Sequence, residues 1–392
     1  MPIDPHTFAM LRLRLTPGLG PVRITRAIEY LGSPDAILKA PSQALRRVPG
    51  IGPKVAAAIT QGRDETMDRA LQEFEAADRI GARLIARGSP EYPPLLAEID
   101  DSPAVFSIRG RIDPHDLDRF PVGMVGSRSC THYGLEQAER FAGSLARAGL
   151  TVVSGGARGI DTASHRGALN AGGRTIVVQG CGLAHAYPPD NADLFDRIVA
   201  EDRGAIISEL PIDTAPKAEN FPARNRIISA LSLGVLVIEA GRKSGALITA
   251  RLAAEDHGRE VMALPGRVDS DASRGALELI RDGGAAPVIE PADVVHTLEN
   301  AARHHFEGTH TVRFVDPLKA PPEQVPATTA PPTANLGQTQ VRILELLVEP
   351  RSADDLAAAL GVELSTLRSE LTMLELQHRI RRQGSCFARS GQ

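Results

Sequence analysis

The sequence has few of the residues that stabilise small secreted proteins or bind metals. It contains three cysteines in 392 residues, Cys130, Cys181 and Cys386, and no two of them have CxxC spacing. This spacing argues against a disulfide framework and against a zinc site, and it fits the reducing cytoplasm, which we predict as the location. The histidines have no metal-binding spacing either. We therefore expect neither a metal ion nor a cofactor.

Several sequence signals that would define other classes of protein are also missing. No apolar run reaches the roughly 20 residues that span a membrane. The first residues show no basic region followed by an apolar one, so we expect no signal peptide and no membrane contact. The chain lacks both GxGxxG after its first core strand and GxxxxGK[ST], which excludes a standard dinucleotide site and a P-loop ATPase. The net charge of −4 excludes a strongly basic protein, although an average hides local patches.

Residues 1–63 are predicted to form a helical module with local positive charge. They contain nine basic residues and three acidic ones. Two turns of similar composition, at 15–21 and 48–54, each lead into a helical pattern. Pro-Gly-apolar-Gly before a helix is typical of helix-hairpin-helix modules, in which glycines let the backbone approach a phosphate. The alternative is that both segments are plain turns in a small helical domain.

A connecting segment is predicted at 64–119, with a short strand at 83–86 that leads into the core, and the core domain is predicted at 120–302. In the core, short β-rich runs alternate with amphipathic helical patterns, and the runs are almost continuously apolar. This alternation predicts a parallel sheet covered by helices on both faces, which is a Rossmann-like, doubly wound α/β fold. The ligands of such folds bind at the carboxyl ends of the strands. The predicted core strands are 121–125, 150–153, 174–178, 205–207, 235–238, 260–264 and 286–289.

The C-terminal part is predicted to contain a linker and a winged helix. Residues 303–337 are rich in proline and threonine, which is typical of a semi-extended linker. Residues 338–392 contain three helical patterns and a possible β-wing, and Gly361 ends the second helix. DNA binding is the usual inference for this fold. However, seven basic residues balance seven acidic ones here, so a protein-interaction role is an equal alternative.

Four loops that follow predicted core strands should lie along one edge of the sheet. The loops at 125–129, 154–161 and 239–249 contain glycines, which allow close backbone approach, and hydroxyl groups that bind anions. The fourth segment, 221–226, begins a helical run. Basic residues would make this edge positive although the whole chain is acidic. They are Arg128, Arg158, Arg224, Arg226, Arg242 and Lys243.

The fourth segment combines an aromatic residue with two arginines at a predicted helix start. Pro222 suits the first turn of a helix. Arg224 and Arg226 cannot both lie on the apolar face of this helix, so at least one should project near its N-terminus, where anions bind. Guanidinium groups match phosphate oxygens, and Phe221 offers a stacking surface for an unpaired base. The alternative is that the arginines form ion pairs with neighbouring acids.

These motifs, taken in order, resemble the DprA/Smf family of DNA-processing proteins of natural transformation. The similarity extends from Gly126-Ser127-Arg128 through 154–161 and 221–228 to 244–250 and Pro265-Gly266. The helical module and the winged helix also match the layout of the family. The resemblance implies a non-catalytic protein that binds incoming single-stranded DNA, protects it from nucleases and loads the RecA recombinase. It also implies a homodimer formed through the core domain.

The resemblance further implies which residues bind DNA. Arg128 is similar to the main phosphate ligand of the family, and Phe221 to its base-contacting aromatic. Two departures stand out: Pro189 occupies a position where relatives often have lysine, and Lys217 is not clearly in register with the second phosphate-binding lysine. The predicted DNA-binding residues are Gly126, Ser127, Arg128, Gly155, Arg158, Lys217, Phe221, Arg224, Asn225, Arg226, Lys243, Ser244, Gly245 and Thr249.

Two other functions remain as alternatives. One is a Rossmann-like protein that binds or processes nucleoside phosphates at the same sheet edge. No acid–base pair supports it, because Asp161 is predicted to cap a helix and Glu239 has no evident partner. The other alternative is a scaffold whose helical module and winged helix recruit protein partners and which binds little DNA itself.

Overall fold

The computed structural model describes residues 3–307, 337–347, 349–362, 364–376, 379–383 and 386–389. Most of the predicted linker, residues 308–336, lies outside the described residues. Residues 303–307 differ from the prediction because they continue a long helix instead of starting the linker. The predicted domain boundaries stay predictions.

The N-terminal part is helical, and its turns depend on glycine and proline. Gly18 and Gly50 have φ angles of 77° and 88°, which residues other than glycine rarely adopt. Each glycine turn leads into a helix that begins with proline, Pro21 in one case and Pro53 in the other. The helices are α1 (Pro5–Leu15), α2 (Pro21–Leu31), α3 (Pro34–Lys39), α4 (Ser42–Leu45), α5 (Pro53–Gln61) and α6 (Arg63–Arg79).

A nine-stranded sheet forms the centre of the molecule. Its strands are β1 (Arg83–Ala86), β2 (Val105–Gly110), β3 (Pro121–Val125), β4 (Thr151–Ser154), β5 (Thr175–Val178), β6 (Gly204–Ser208), β7 (Gly234–Val237), β8 (Glu260–Ala263) and β9 (Ala286–Pro287). Their order across the sheet is β1-β2-β6-β5-β4-β3-β7-β8-β9. Strands β3 to β9 pair in parallel, which agrees with the doubly wound fold predicted from the apolar runs.

Two antiparallel strands extend this sheet beyond the predicted core. Strand β2 pairs with β6, for example Ser107 with Ser208, and β1 pairs with β2. The prediction placed a short strand at 83–86 in the connecting segment, and β1 confirms it, whereas β2 and the pairing of both strands with the core sheet were not predicted. Apolar periodicity identifies a strand but not its direction or partner, so these antiparallel pairs were not predicted.

Helices cover both faces of the sheet. Helices α8 and α9 pack against each other on one face, and Phe141 and Ile160 are fully buried there. The predicted helix at 246–257 has a regular first part and then a π-helical turn at Leu252–Asp256. The helices of this part are α7 (Pro94–Ala97), α8 (His132–Arg147), α9 (Ile160–Asn170), α10 (Ala192–Ala200), α11 (Asn220–Ala230), α12 (Ala246–Arg251), α13 (Arg274–Arg281) and α14 (Pro291–Glu307).

The C-terminal part contains three helices and a small antiparallel sheet, as predicted. Ser352 accepts a hydrogen bond from the backbone N–H of Asp355, and Gly361 ends the second helix with a φ of 66°. Met373 is fully buried in the cluster that α14 shares with the core. The elements are α15 (Gln338–Leu346), β10 (Arg351–Ser352), α16 (Ala353–Leu360), α17 (Leu364–Leu376), β11 (Ile380–Gln383) and β12 (Cys386–Arg389). None of the helices in the described ranges is long and apolar enough to cross a membrane.

Candidate nucleic-acid interface

The site lies where the chain reverses direction across the sheet. From β3 the chain continues to β4, β5 and β6 on one side and then returns to β7 on the other side of β3. The loops that follow the carboxyl ends of β3 and β7 therefore run in opposite directions and leave a crevice between them. Such a crevice is the usual ligand position in doubly wound folds. A cavity of about 430 Å³ occupies this crevice, and all four predicted loops contribute to it.

Nine of the fourteen predicted DNA-binding residues line this cavity. The loop after β3, the loop after β7 and the start of α11 each contribute three of them. Serine and threonine hydroxyls, an amide and flexible glycine backbone therefore face one space, a combination suited to phosphate oxygens. The nine residues are Gly126, Ser127, Arg128, Phe221, Arg224, Asn225, Ser244, Gly245 and Thr249.

Arg128 and Phe221 form the exposed part of the cavity. The Arg128 guanidinium lies 5.3 Å from the centre of the Phe221 ring, and within the described residues this arginine forms no ion pair. The ring is held in place from below, because a Cβ atom added at Gly180 would lie only 2.8 Å from it. The Tyr187 ring lies 5.1 Å from the Phe221 ring, centre to centre. A positioned aromatic ring with an uncompensated cation beside it therefore faces the cavity.

Arg224 forms the floor of the cavity and is 4% exposed. Its Nη1 atom donates to the carbonyl oxygen of Gly155, at 2.6 Å, and to that of Val178. Burial lowers the pKa of its guanidinium to about 10, while the charge of Asp161 opposes that shift. The side chain therefore stays charged at neutral pH. Arg224 supplies positive potential from beneath the cavity. Gly155 leaves room for the Arg224 guanidinium because glycine has no side chain.

Arg226, one of the predicted DNA-binding residues, does not line the cavity. Its guanidinium bonds to Glu209 at 2.5 Å and to Asp101 at 3.0 Å. Residues two apart on a helix point about 200° apart, so Arg224 and Arg226 must face different surroundings. Arg226 therefore forms ion pairs with neighbouring acids, which is the alternative that the sequence left open.

The other predicted basic residues lie outside the cavity lining. Arg158 forms an ion pair with Asp190 at 2.7 Å. Lys217 and Lys243 are exposed, on the loops that lead into α11 and α12. These three side chains surround the crevice and reach into solvent, so the positive edge extends beyond the cavity itself. Gly155 also lies outside the lining, under Arg224.

The two carboxylates near the cavity are already engaged. Glu239 is 3% exposed and accepts hydrogen bonds from the backbone N–H of Thr131, at 2.8 Å, and from its hydroxyl. Asp161 accepts from the backbone N–H of Ala157 at 3.2 Å and makes no cap bond to α9, which corrects its predicted role as a helix cap. Burial raises the pKa of Asp161, and the nearby arginines counteract that effect. Across the described ranges, no group of acids, histidines and cysteines is arranged to hold a metal.

Nine residues that line the cavity are not among the predicted DNA-binding residues, and Ser129 and Ile248 are two of them. Ser129 follows Arg128 directly, so the run of small polar residues there could have indicated it. Ile248 is 38% exposed, which is unusual for isoleucine, and it lies one turn from Ser244. An apolar residue in a glycine-rich loop is the signal that could have identified it, since such a side chain can pack against a base.

Comparison with known proteins gives matches along most of the chain. A family described as DNA recombination-mediator protein A matches residues 83–299. The DprA winged helix domain matches residues 326–384, and a SAM-like helix-hairpin-helix tandem matches residues 11–63. These matches confirm the predicted helix-hairpin-helix module, core and winged helix.

Individual relatives show the same similarity. The chain is 34% identical over 374 residues to Protein Smf of Synechocystis sp., and the match covers 92% of each chain. It is 44% identical over 216 residues to Protein Smf of Escherichia coli, covering 55% of this chain and 56% of the relative. The X-ray structure of DNA processing protein A (DprA) from Streptococcus pneumoniae superposes with a TM-score of 0.64 at 34% identity, covering 76% of this chain and 98% of that chain. The chain belongs to the DNA recombination-mediator protein A family, whose members are named DprA or Smf.

Proposed function

We propose that the protein binds single-stranded DNA at the cavity between β3 and β7. The observation that carries this proposal is the unpaired Arg128 guanidinium beside the Phe221 ring, at the carboxyl ends of the strands. A phosphate neutralises the cation, and an unpaired base stacks on the ring. These are the two contacts that binding of single strands requires.

In this proposal, some cavity residues contact the DNA backbone and Phe221 contacts a base. Arg128 and the hydroxyls of Ser127, Ser244 and Thr249 bind phosphate oxygens, while Arg224 attracts them from the floor. Stacking on Phe221 contributes about 1–3 kcal/mol per base. Each neutralised phosphate releases counterions, so affinity falls steeply with salt. Duplex DNA keeps its base faces stacked and binds this site less well.

The basic residues around the crevice continue the path of the strand. Lys217, Lys243 and Arg158 lie on three of the loops that enclose the cavity and reach into solvent. We place the flanking phosphates against them, with Arg158 exchanging Asp190 for DNA. In this proposal Gly155 and Arg226 act indirectly, through Arg224 and through the placement of α11.

Partners follow from family membership. The matching family is described as a recombination mediator, and on that basis we propose that the protein transfers its bound strand to the RecA recombinase in the cytoplasm. We also propose a homodimer through the core domain. Tyr133 and Ile289 are 44% and 74% exposed, and they line a groove of about 290 Å³ of mixed polarity. Its other lining residues are Gln137, Arg140, Leu264, Pro265 and Val288. Burial of this groove against a second copy would remove these side chains from water.

We propose no catalytic step at the cavity. The support for this is that Glu239 is bonded to Thr131 and that Asp161 is buried beside Arg224, so neither is positioned as an exposed general base. The alternative, a nucleotide-binding protein, fits the volume of the cavity. It predicts that free mononucleotides raise the melting temperature, because a ligand that binds the native state stabilises it.

The test is fluorescence anisotropy with labelled oligo-dT over a salt series, for the wild type and Arg128→Ala. We expect the variant to lose about tenfold or more in affinity and to show a salt slope that is smaller by about one unit. Arg147→Ala is the matched control, because that exposed arginine lies at the far end of α8. Unchanged oligo-dT binding by Arg128→Ala would refute the assignment of the site.

A further inference from the structure

We propose that Glu239 is a positioning residue for DNA binding, which holds the loop that carries Arg128 in its binding shape. Glu239 follows β7, and Arg128 follows the neighbouring strand β3. Glu239 is 3% exposed and is not among the residues that line the cavity. The inference rests on the proposed binding of single-stranded DNA, and it names the residue through which β7 places the main phosphate ligand.

The loop between β3 and α8 is bonded to Glu239 at both of its ends. At its start, the backbone N–H of Ser127 donates to the main-chain carbonyl oxygen of Glu239 at 2.8 Å. At its end, the backbone N–H of Thr131 donates to Glu239 Oε1 at 2.8 Å, and the Thr131 hydroxyl donates to Oε2. Arg128 lies between these two attachments. A single residue after β7 therefore fixes both ends of the segment that presents the Arg128 side chain.

Close packing leaves this loop little room for another shape. A Cβ atom added at Gly134, in the first turn of α8, would lie 2.8 Å from Glu239 Oε2. On another side of the loop, a Cβ atom added at Gly159, just before α9, would lie 2.8 Å from the carbonyl oxygen of Arg128. The carboxylate and the Arg128 backbone are thus each confined by the start of a helix.

The carboxylate supplies something that an apolar side chain lacks. Burial of a charge costs stability, and an apolar residue of similar size would fill the space without that cost. In the described part of the chain, the side-chain partners of Glu239 are the N–H and the hydroxyl of Thr131, and neither carries a charge. The N-terminus of α8 adds favourable partial charge. The carboxylate therefore provides two acceptors, and both of them hold the end of the Arg128 loop.

The charge of Glu239 and its hydrogen bonds have opposite effects on DNA binding. By Coulomb's law alone, removal of a negative charge beside the cavity loop strengthens the attraction of phosphates. Loss of the hydrogen bonds instead frees the loop, and binding must then order it again, which lowers affinity. The sign of the change in affinity therefore distinguishes positioning by Glu239 from a simple effect of its charge.

The test is anisotropy with labelled oligo-dT over a salt series for Glu239→Ala, Glu239→Gln, Arg128→Ala and the double variant Arg128→Ala with Glu239→Ala. We expect Glu239→Ala to lose about tenfold in affinity, which corresponds to reordering about one backbone residue, and up to about one unit of salt slope. Glu239→Gln keeps an acceptor for the Thr131 N–H, so its affinity should stay within about twofold of the wild type or increase. The double variant should bind as Arg128→Ala does, because Glu239 acts through Arg128.

Asp118→Ala is the matched control for general destabilisation. Asp118 is also a buried carboxylate, 4% exposed, and it accepts from the backbone N–H of Asp113 and from the Thr151 hydroxyl, both at 2.8 Å. It precedes β3 and so lies at the opposite end of that strand from the cavity. Asp118→Ala should lower the melting temperature and leave oligo-dT affinity unchanged. If Glu239→Ala does not fold, Thr131→Ala removes the hydroxyl that donates to Oε2 and should lose about threefold in affinity.

Four results would overturn the proposal. The first is a Glu239→Ala affinity equal to or higher than that of the wild type, and the second is a double variant that binds more weakly than Arg128→Ala. The third is an equal loss in Glu239→Gln and Glu239→Ala, and the fourth is an equal loss in Asp118→Ala. Failure of the cavity assignment itself is recognised separately, by oligo-dT binding that survives in Arg128→Ala.

Discussion

Arg128 and Arg224 have the same side chain and opposite environments. Arg128 lies in solvent beside Phe221 and is available to a ligand, whereas Arg224 is enclosed and bonds to two backbone carbonyls. Its Nε atom makes no protein hydrogen bond, and Asp161 supplies the nearest opposite charge. A buried guanidinium of this kind depends on exact space around it, because any displacement leaves a charge without partners.

Gly155 provides the space for the Arg224 guanidinium, so a larger residue at this position should disturb the cavity floor. A Cβ atom at Gly155 would lie 2.5–2.7 Å from the Arg224 guanidinium, so either the loop or the arginine must move. We expect Gly155→Ala to destabilise the protein by about 1–3 kcal/mol, in line with overpacked cores, and to weaken oligo-dT binding. Chemical denaturation and anisotropy measure the two effects.

Gly245→Ala is the matched control, because a Cβ atom at Gly245 meets no atom within 4 Å. Its stability should remain within about 0.5 kcal/mol of the wild type. If Gly155→Ala is as stable as this control, the close contact between Gly155 and Arg224 is not a constraint on the fold.

Helix α11 connects the cavity with the N-terminal part. Phe221 and Asn225 face the cavity, while Arg226, on another side of the helix, bonds to Glu209. The loop from Glu209 to α11 is held by α6, since Glu73 accepts a hydrogen bond from the backbone N–H of Ile212 at 2.7 Å. The position of the aromatic ring therefore depends on a contact made by a distant helix.

Removal of the contact between Glu73 and Ile212 should affect both stability and DNA binding. Glu73→Ala leaves the Ile212 N–H without its acceptor and takes a negative charge away from the half-buried Arg14. We expect a loss of about 1–3 kcal/mol in stability. We also expect oligo-dT affinity to fall, since the segment leading to Phe221 loses order. Glu75→Ala, on the exposed side of the same helix, should change neither quantity. If Glu73→Ala and Glu75→Ala bind oligo-dT equally well, the contact between Glu73 and Ile212 has no effect on the cavity.

The groove with Tyr133 and Ile289 is the surface through which we propose that two copies of the chain associate. A dimer presents two cavities to one strand, so the second contact becomes intramolecular and raises the apparent affinity. This gain exists only for strands long enough to reach both cavities.

The corresponding prediction concerns Ile289→Asp. Removal of a carboxylate from water in the contact between copies opposes association, so we expect a monomer by light scattering. Affinity for long oligo-dT should fall about tenfold or more, while affinity for short oligo-dT stays unchanged. Val268→Asp is the control, because Val268 is 75% exposed and lies outside the groove. A monomeric wild type, or a dimeric Ile289→Asp, would contradict this assignment.

The alternation of apolar runs with amphipathic segments was enough to predict the parallel sheet and the edge at which its loops meet. Four loops at one edge also predicted most of the cavity. The direction and the partners of the two antiparallel strands could not be predicted, because apolar residues in a strand carry no signal for direction. The separation of Arg224 from Arg226 follows from helix geometry, but which of them faces the cavity depends on the packing of α11 against Gly155 and Glu209.

The two borders of the central sheet limit how the protein can aggregate. Helices α1 and α6 pack along β1, and at the other border β9 has only two residues, one of which is Pro287. Proline has no N–H to donate, and so short a strand cannot serve as a template for pairing with another chain. Both borders of the sheet thereby oppose edge-to-edge pairing between copies of the chain. Copies of the chain that come close together are therefore protected from forming fibrils through these edges.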